Sequence, residues 1–238
     1  MTNREDEVAN VFECDAILFD MDGVLVDSTM GVVRIWREWA EKHGLDVDRV
    51  LEVSHGRRVV ETISLVAPEL DAASEANEYQ RIEVEGLDGV LEIEGARELL
   101  ASLPPDGWTV VTSGTRFIAR KKLRRVGLPV PRRLVAAEDV ENGKPHPEAY
   151  LKGAEALGAR PEACVVVEDA PSGIRSAKAA GMRVIAVATT YRREDLTEAD
   201  AVAASLAGIR VTPRSNPGAA NRPRFEVRLG NAVGPEQV

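Results

Sequence analysis

Five short apolar runs stand out along the chain, at 15–20, 108–113, 133–137, 164–168 and 183–188, rich in β-branched residues and largely without alternation. Strands covered on both faces read this way, because neither face has to meet water. Stretches with helical spacing, 115–126, 146–157 and 171–180, fall between the later runs. Strand and helix in alternation predict an α/β fold, a doubly wound parallel sheet whose ligands gather at the carboxyl ends of the strands. Segment 29–92 breaks the rhythm and predicts helices over 29–43, 46–53, 57–66 and 72–86, punctuated by Gly44, the 54–56 turn and Pro68. It reads as a small helical insertion after the first strand, with hinges near 26–29 and 90–95. The core is then expected over 1–28 and 93–211. Residues 212–223 (TPRSNPGAANRP) do not suit a helix. Beyond them RFEVRL, 224–229, reads either as an extra edge strand or as part of a disordered tail over 212–238.

Composition narrows the partners. With 238 residues, 44% of them hydrophobic, the chain can bury a substantial core. A net charge of −9 argues against nucleic acid, whose binding needs a basic footprint. Cys14 and Cys164 both border apolar runs and read as buried thiols, which fits a reducing compartment. No His/Cys cluster has zinc spacing. Residues 1–10 are polar and acidic, and no stretch approaches about 18 apolar residues. The expectation is a cytoplasmic protein without a membrane partner, a monomer or small homo-oligomer.

The first run ends in Asp20-Met21-Asp22-Gly23. A strand's period of two points Asp20 and Asp22 to the same side. Carboxylates that close call for a cation or a shared proton, and Gly23 lets the chain turn at once. Three further pieces follow in order: Trp108 to Thr115 (WTVVTSGT), Gly143-Lys144-Pro145-His146-Pro147, and Cys164 to Asp169 (CVVVED). Taken singly, each has a plain structural reading: an acidic turn, a common Ser-Gly turn, a solvated lysine, or an acidic pair before the helix start at Pro171-Ser172. Taken together over roughly 14–210, they resemble the four-part signature of the haloacid dehalogenase superfamily of phosphohydrolases. VTSGTR and AEDVENGKPHPEAYLKGAEALG are similar to its branch of sugar- and polyol-phosphate phosphatases, which includes glycerol-phosphatases and deoxyglucose-phosphate phosphatases.

The resemblance implies a Rossmann-like core with the insertion as a cap over the site. It further implies Mg²⁺-dependent hydrolysis of a small phosphorylated metabolite through an aspartyl-phosphate. Asp20 is then the nucleophile, and Asp22 the general acid/base, which also gives its backbone carbonyl to the metal. Asp169 is the side-chain ligand across from Asp20, and Glu168 a second acid that ligates directly or through water; an all-oxygen set suits Mg²⁺. Ser113 donates to the phosphoryl group, with Thr112 the other option, and the amides of Gly114 and Thr115 stand nearby at a helix N-terminus. Lys144 is the counter-charge. Asp27 and Ser28 close the first motif or cap helix 29–43. In the cap turn His55-Gly56-Arg57-Arg58, Arg57 grips a second anionic or hydroxyl group and His55 bonds a polyol, or both are surface charges at a helix start. A sugar phosphomutase of the β-phosphoglucomutase kind shares all four motifs and is the alternative. A non-catalytic binding protein would be marked by loss of Asp20 or Asp22, and both are present.

Overall fold

The computed structural model describes residues 11–214 and 223–230. Strands β1 (Val11–Cys14), β2 (Ala16–Phe19) and β3 (Val26–Asp27) open the chain. Helices α1 (Thr29–His43), α2 (Val47–Ser54), α3 (Val59–Val66) and α4 (Ala72–Glu85) follow, and β4 (Leu91–Glu92) brings the chain back. The remainder alternates: α5 (Ala96–Ala101), β5 (Trp108–Val111), α6 (Arg116–Arg125), β6 (Leu134–Val135), α7 (Glu148–Leu157), β7 (Cys164–Glu168), α8 (Pro171–Ala179) and β8 (Arg183–Val187). Three strands end it: β9 (Ala201–Ala203), β10 (Ile209–Pro213) and β11 (Phe225–Leu229).

Six of the strands form one parallel sheet in the order β6-β5-β2-β7-β8-β9. Its strands have no polar face because both faces are covered. Ile17, Phe19, Val165, Val167, Ile185 and Val187 join one core cluster with Leu99 of α5 and Leu123 of α6. Their neighbours Leu18, Val166, Val184 and Ala186 join the other, with Tyr150 of α7 and Ile174 of α8. The period of two thus divides each strand between two cores. The strand order places β2 centrally, with the end of β7 beside it, so the acids that follow both strands emerge together.

The insertion has its own small core of Ile35, Trp36, Trp39, Val50, Ile63 and Tyr79. Caps set its helix starts: Asp46 accepts from Arg49 N at 3.0 Å, and Asp71 from Ala73 N and Ser74 N at 3.1 and 3.2 Å. The expected start of the third helix moves from 57 to Val59, because Arg58 is its extended N-cap residue. At the expected hinges, β3 and β4 pair antiparallel, Val26 with Glu92 and Asp27 with Leu91.

One expectation needs correction. Residues 225–229 are a strand, but not an edge strand: β11 is the middle of a second sheet, β1-β11-β10, antiparallel on both sides. Phe225, Val227 and Leu229 face the core, and Phe225 packs against Gly107 at the foot of β5. The expected loop 212–223 lies mostly outside the described residues, as do the polar segment 1–10 and the tail beyond 230. Cys14 and Cys164 are free, buried thiols, and burial pushes both up to about 12. Among the described residues no helix is long and apolar enough to cross a membrane.

Candidate active site

The chain leaves β2 directly into Asp20 and turns at Gly23, whose φ is +82°. A Cβ there would stand 2.0 Å from Asp169 Oδ2, so glycine is required by both the turn and its neighbour. This close approach brings the ends of β2 and β7 together. One carboxylate oxygen each from Asp20, Glu168 and Asp169 lie within 4.8 Å of one another, all on buried residues.

Lys144 lies among these acids and is almost fully buried. Its Nζ donates to Asp20 Oδ1 at 2.6 Å, Glu168 Oε1 at 2.8 Å and the Val111 carbonyl at 3.3 Å. Burial works against its charge, yet Asp20 and Glu168 hold its pKa above the ordinary lysine value. One ammonium does not compensate three carboxylates. Burial, opposed by Lys144, pushes Asp20 up to about 7; burial and the charges of Glu168 and Asp20 push Asp169 well above the usual range. An excess of buried negative charge on oxygen donors alone is what a divalent cation fits.

Glu168 is engaged at both oxygens. Oε1 accepts from Lys144 and from Tyr150 OH at 2.8 Å, and Oε2 from the amides of Asp169 and Ala170 at 2.9 and 3.0 Å. A cation bound directly to Glu168 would have to displace donors already in place. Tyr150, on α7, carried no sequence signal beyond its apolar spacing.

The Asp22 carboxylate stands apart from the acidic cluster. Its Oδ1 accepts from Ser28 Oγ at 2.5 Å and from Lys122 Nζ at 2.7 Å. Ser28, the N-cap residue of α1, therefore gives its side chain to Asp22, while Asp27, just before it, accepts from Thr29 N at 3.0 Å. Lys122 also pairs with Glu83 of α4 at 2.7 Å, and its side chain is 4% exposed. Burial opposes the Lys122 charge; Asp22 and Glu83 raise its pKa above the ordinary value. Sequence reasoning missed this residue. The available signal was its register, a lysine between Ala119 and Leu123 on the buried face of α6.

A cavity opens above Asp20 and Asp22, between the strand ends and the insertion. Trp36, Val32, Val59 and Tyr79 give it an apolar wall; His55, Arg57, Ser113, Gly114, Asp169 and Tyr191 bring polar groups. The His55 ring meets Tyr191 edge-on at 5.6 Å, and burial lowers its pKa, which favours neutral imidazole. Arg57 lines the cavity, and its side chain has no partner among the described residues.

The hydroxyl turn after β5 gives two of its polar groups local partners. The Gly114 amide donates to Thr112 Oγ1 at 3.0 Å, so the turn uses it internally. Thr115 lies outside the cavity wall as the N-cap of α6, its Oγ1 accepting from Ile118 N at 3.4 Å. The Gly114 amide and the Thr115 hydroxyl are thus engaged within the turn and the helix start. Ser113 remains at the cavity, with Oγ donating to the Gly56 carbonyl of the insertion at 2.7 Å.

Comparison with known proteins agrees with this geometry. Residues 14–181 match the haloacid dehalogenase-like hydrolases. Hexitol phosphatase A of Escherichia coli (strain K12) is 43% identical over 208 residues, covering 85% of this chain and 96% of that protein. Glycerol-1-phosphate phosphohydrolase 2 of Saccharomyces cerevisiae is 38% identical over 196 residues, 77% of this chain and 78% of its own. The crystal structure of β-phosphoglucomutase from Clostridium difficile superposes with a TM-score of 0.72 at 25% identity, covering 82% of this chain and 92% of that one. The matched region takes in β2, β5 and β7, the acids at their ends, Lys144 and the whole helical insertion, so the chain belongs to the haloacid dehalogenase-like hydrolase family.

Proposed function

We propose that this protein is a phosphatase that hydrolyses the phosphomonoester of a small sugar or polyol through an aspartyl-phosphate. The observation that carries it is Asp20, a buried carboxylate at a strand end, paired with Lys144 at 2.6 Å on the floor of a cavity that the insertion closes as a cap. Similarity to a hexitol phosphatase and to a glycerol-1-phosphate phosphohydrolase supports the substrate class.

In this reading an Asp20 oxygen attacks phosphorus in line, the ester P–O bond breaks, and Asp22 gives the leaving oxygen its proton. Asp22 next takes a proton from water, whose oxygen attacks the phosphoryl group and releases inorganic phosphate and free Asp20. Lys144 offsets the charge on Asp20 and on the phosphoryl oxygens. Ser113 orients those oxygens, and Glu168 acts through Lys144 and Tyr150 by holding the ammonium in place. Asp20, Asp169 and the Asp22 carbonyl would hold Mg²⁺, which supplies neutralisation of phosphoryl charge when bound. Arg57 and His55 read the distal hydroxyl or anionic groups of the substrate.

The direct test is phosphate release from a panel of sugar and polyol phosphates, with Mg²⁺ and with EDTA. Metal-dependent release from one or a few of them is the expected result. Rearrangement of a sugar phosphate without phosphate release would assign the mutase reaction, to which the likeness to β-phosphoglucomutase points. In the same assay Arg57→Ala lowers kcat/KM for the preferred polyol phosphate by roughly 10- to 100-fold, the worth of a charge-assisted hydrogen bond. It leaves p-nitrophenyl phosphate within about threefold, since that compound has no hydroxyls to read. Equal losses on both would put Arg57 in the shared chemistry.

Metal binding carries a pH signature. With Asp20 pushed up to about 7, protons and cation compete for the same oxygens. At pH 8 Asp20 is ionised before the cation arrives; at pH 6 a proton must leave. Apparent Mg²⁺ affinity falls as pH drops below 7, by up to about tenfold per pH unit for each proton displaced. Calorimetric titration at the two pH values checks this, and equal affinities would mean that the cation does not use Asp20.

A further inference from the structure

Arg58, next to the cavity-lining Arg57, points out of the cavity and across to the core. Its Nη1 donates to the carbonyls of Val140 at 2.8 Å and Ala137 at 3.4 Å, and its Nη2 to that of Glu141 at 2.5 Å. Glu61, one turn into α3, accepts through Oε1 from Arg58 Nη2 at 2.6 Å and from the Gly143 amide at 2.8 Å. Two side chains of the cap thus hold backbone groups at both ends of loop 137–143, the segment that delivers Lys144. On the core side Glu148 accepts from the amides of Glu141 and Asn142 at 2.9 and 3.0 Å. The loop is gripped from both bodies. A Cβ on Gly143 would stand 2.3 Å from Glu61 Oε2, so glycine at 143 lets the carboxylate reach this amide without shifting.

We infer that Arg58 and Glu61 form a cap-seating latch, a pair of positioning residues that fixes loop 137–143 and so makes the placement of Lys144 depend on the cap being down. The inference rests on the reading of Lys144 as the counter-charge of the reaction. Among the described residues, Arg58 Nε and Glu61 Oε2 are buried with no protein partner. A contact made of hydrogen bonds between cap and loop can open in each turnover to let product out. Planar guanidinium geometry suits the task too, because one fork reaches three carbonyls that a single ammonium cannot span together.

The test compares wild type with Arg58→Met, Arg58→Lys and Glu61→Ala in the full-length enzyme with Mg²⁺. Amide hydrogen exchange over 137–146 is read alongside kcat and KM for the preferred polyol phosphate and for p-nitrophenyl phosphate. Exchange over 137–146 becomes at least about tenfold faster in Arg58→Met and Glu61→Ala, while β2, β5 and β7 keep wild-type protection. On both substrates kcat falls roughly 10- to 100-fold, as expected for a supporting residue, and Arg58→Lys recovers part of it. KM stays within about threefold, because the latch does not touch substrate. Unchanged exchange over 137–146 would overturn the inference, as would a raised KM with intact kcat or protection lost across the whole sheet. A wild-type enzyme that releases no phosphate from any substrate would instead strike at the phosphatase reading, while the exchange measurement would still decide the latch.

Discussion

Asp20→Asn brings turnover down by at least about 10⁴-fold, the scale of losing a covalent nucleophile, while the fold stays intact. The amide keeps the shape of the side chain but cannot form the acyl phosphate. Lys144 keeps Glu168 and the Val111 carbonyl as partners. Stability should shift in a definite sense. Asp20 is pushed up to about 7, chiefly by burial and against the pull of Lys144, from an unfolded value near 4. Its contribution to stability is therefore fully present below about pH 4 and is lost as pH rises through 7. Asparagine does not titrate. In EDTA the variant should match or exceed wild type in Tm at pH 8.5, and a pH series of melting curves measures the difference. Substantial turnover by Asp20→Asn would remove it as the attacking group.

Lys144→Met is the substitution expected to damage both stability and chemistry. It leaves Asp20 and Glu168 buried together without their ammonium, a loss of about 3–5 kcal/mol by the usual consequence of breaking a buried pair. For a chain of this size each kcal/mol lowers Tm by roughly 2–4 °C. The loss should be greater at pH 8 than at pH 6, where Asp20 can take up a proton and relieve the repulsion. Turnover should fall at least about 10³-fold, since among the described residues no other side-chain cation pairs with Asp20. Adding Glu168→Gln removes one stranded charge, which should restore part of the Tm and none of the rate. A wild-type Tm for Lys144→Met alone would show that the acids already share their charge by another route.

Legibility differed sharply along the chain. The strands β2, β5, β7 and β8 were plain because both faces are buried, so their apolar runs are unbroken. The insertion helices were equally plain from caps and spacing, and their ends moved by a residue or two. β11 has a clear alternation, Phe225, Val227 and Leu229 against Glu226 and Arg228, yet its partners β1 and β10 could not be read from it. β1 lies more than 200 residues away, a pairing that leaves no local pattern, and β10 is separated from β11 by the Pro/Asn/Gly-rich stretch. The same division runs through the site. Asp20, Asp22, Ser113, Lys144, Glu168 and Asp169 follow strand ends or the loops after them, where the order of motifs exposes them. Lys122, Arg58 and Glu61 work through partners far along the chain: Asp22 at a separation of 100 residues, and Gly143 at 82 from Glu61. Their neighbours in sequence give them no special company. Gly114 and Thr115 differ again: the Gly114 amide and the Thr115 hydroxyl have partners within their own turn and helix, a local use that the order of motifs does not reveal.

The short ribbon of β3 and β4 sets how new specificities can arise on this scaffold. By pairing Val26 with Glu92 and Asp27 with Leu91, it brings the two crossing segments side by side. Everything between them is then a cassette that can lengthen, shrink or be exchanged by recombination without altering any strand of the parallel sheet. A chimera joined at 27 and 91 should fold with a foreign helical bundle in place of its own. It should also work well only where the donor bundle brings groups that fit loop 137–143, so the traffic of modules among such enzymes is filtered at that contact and not at the seam.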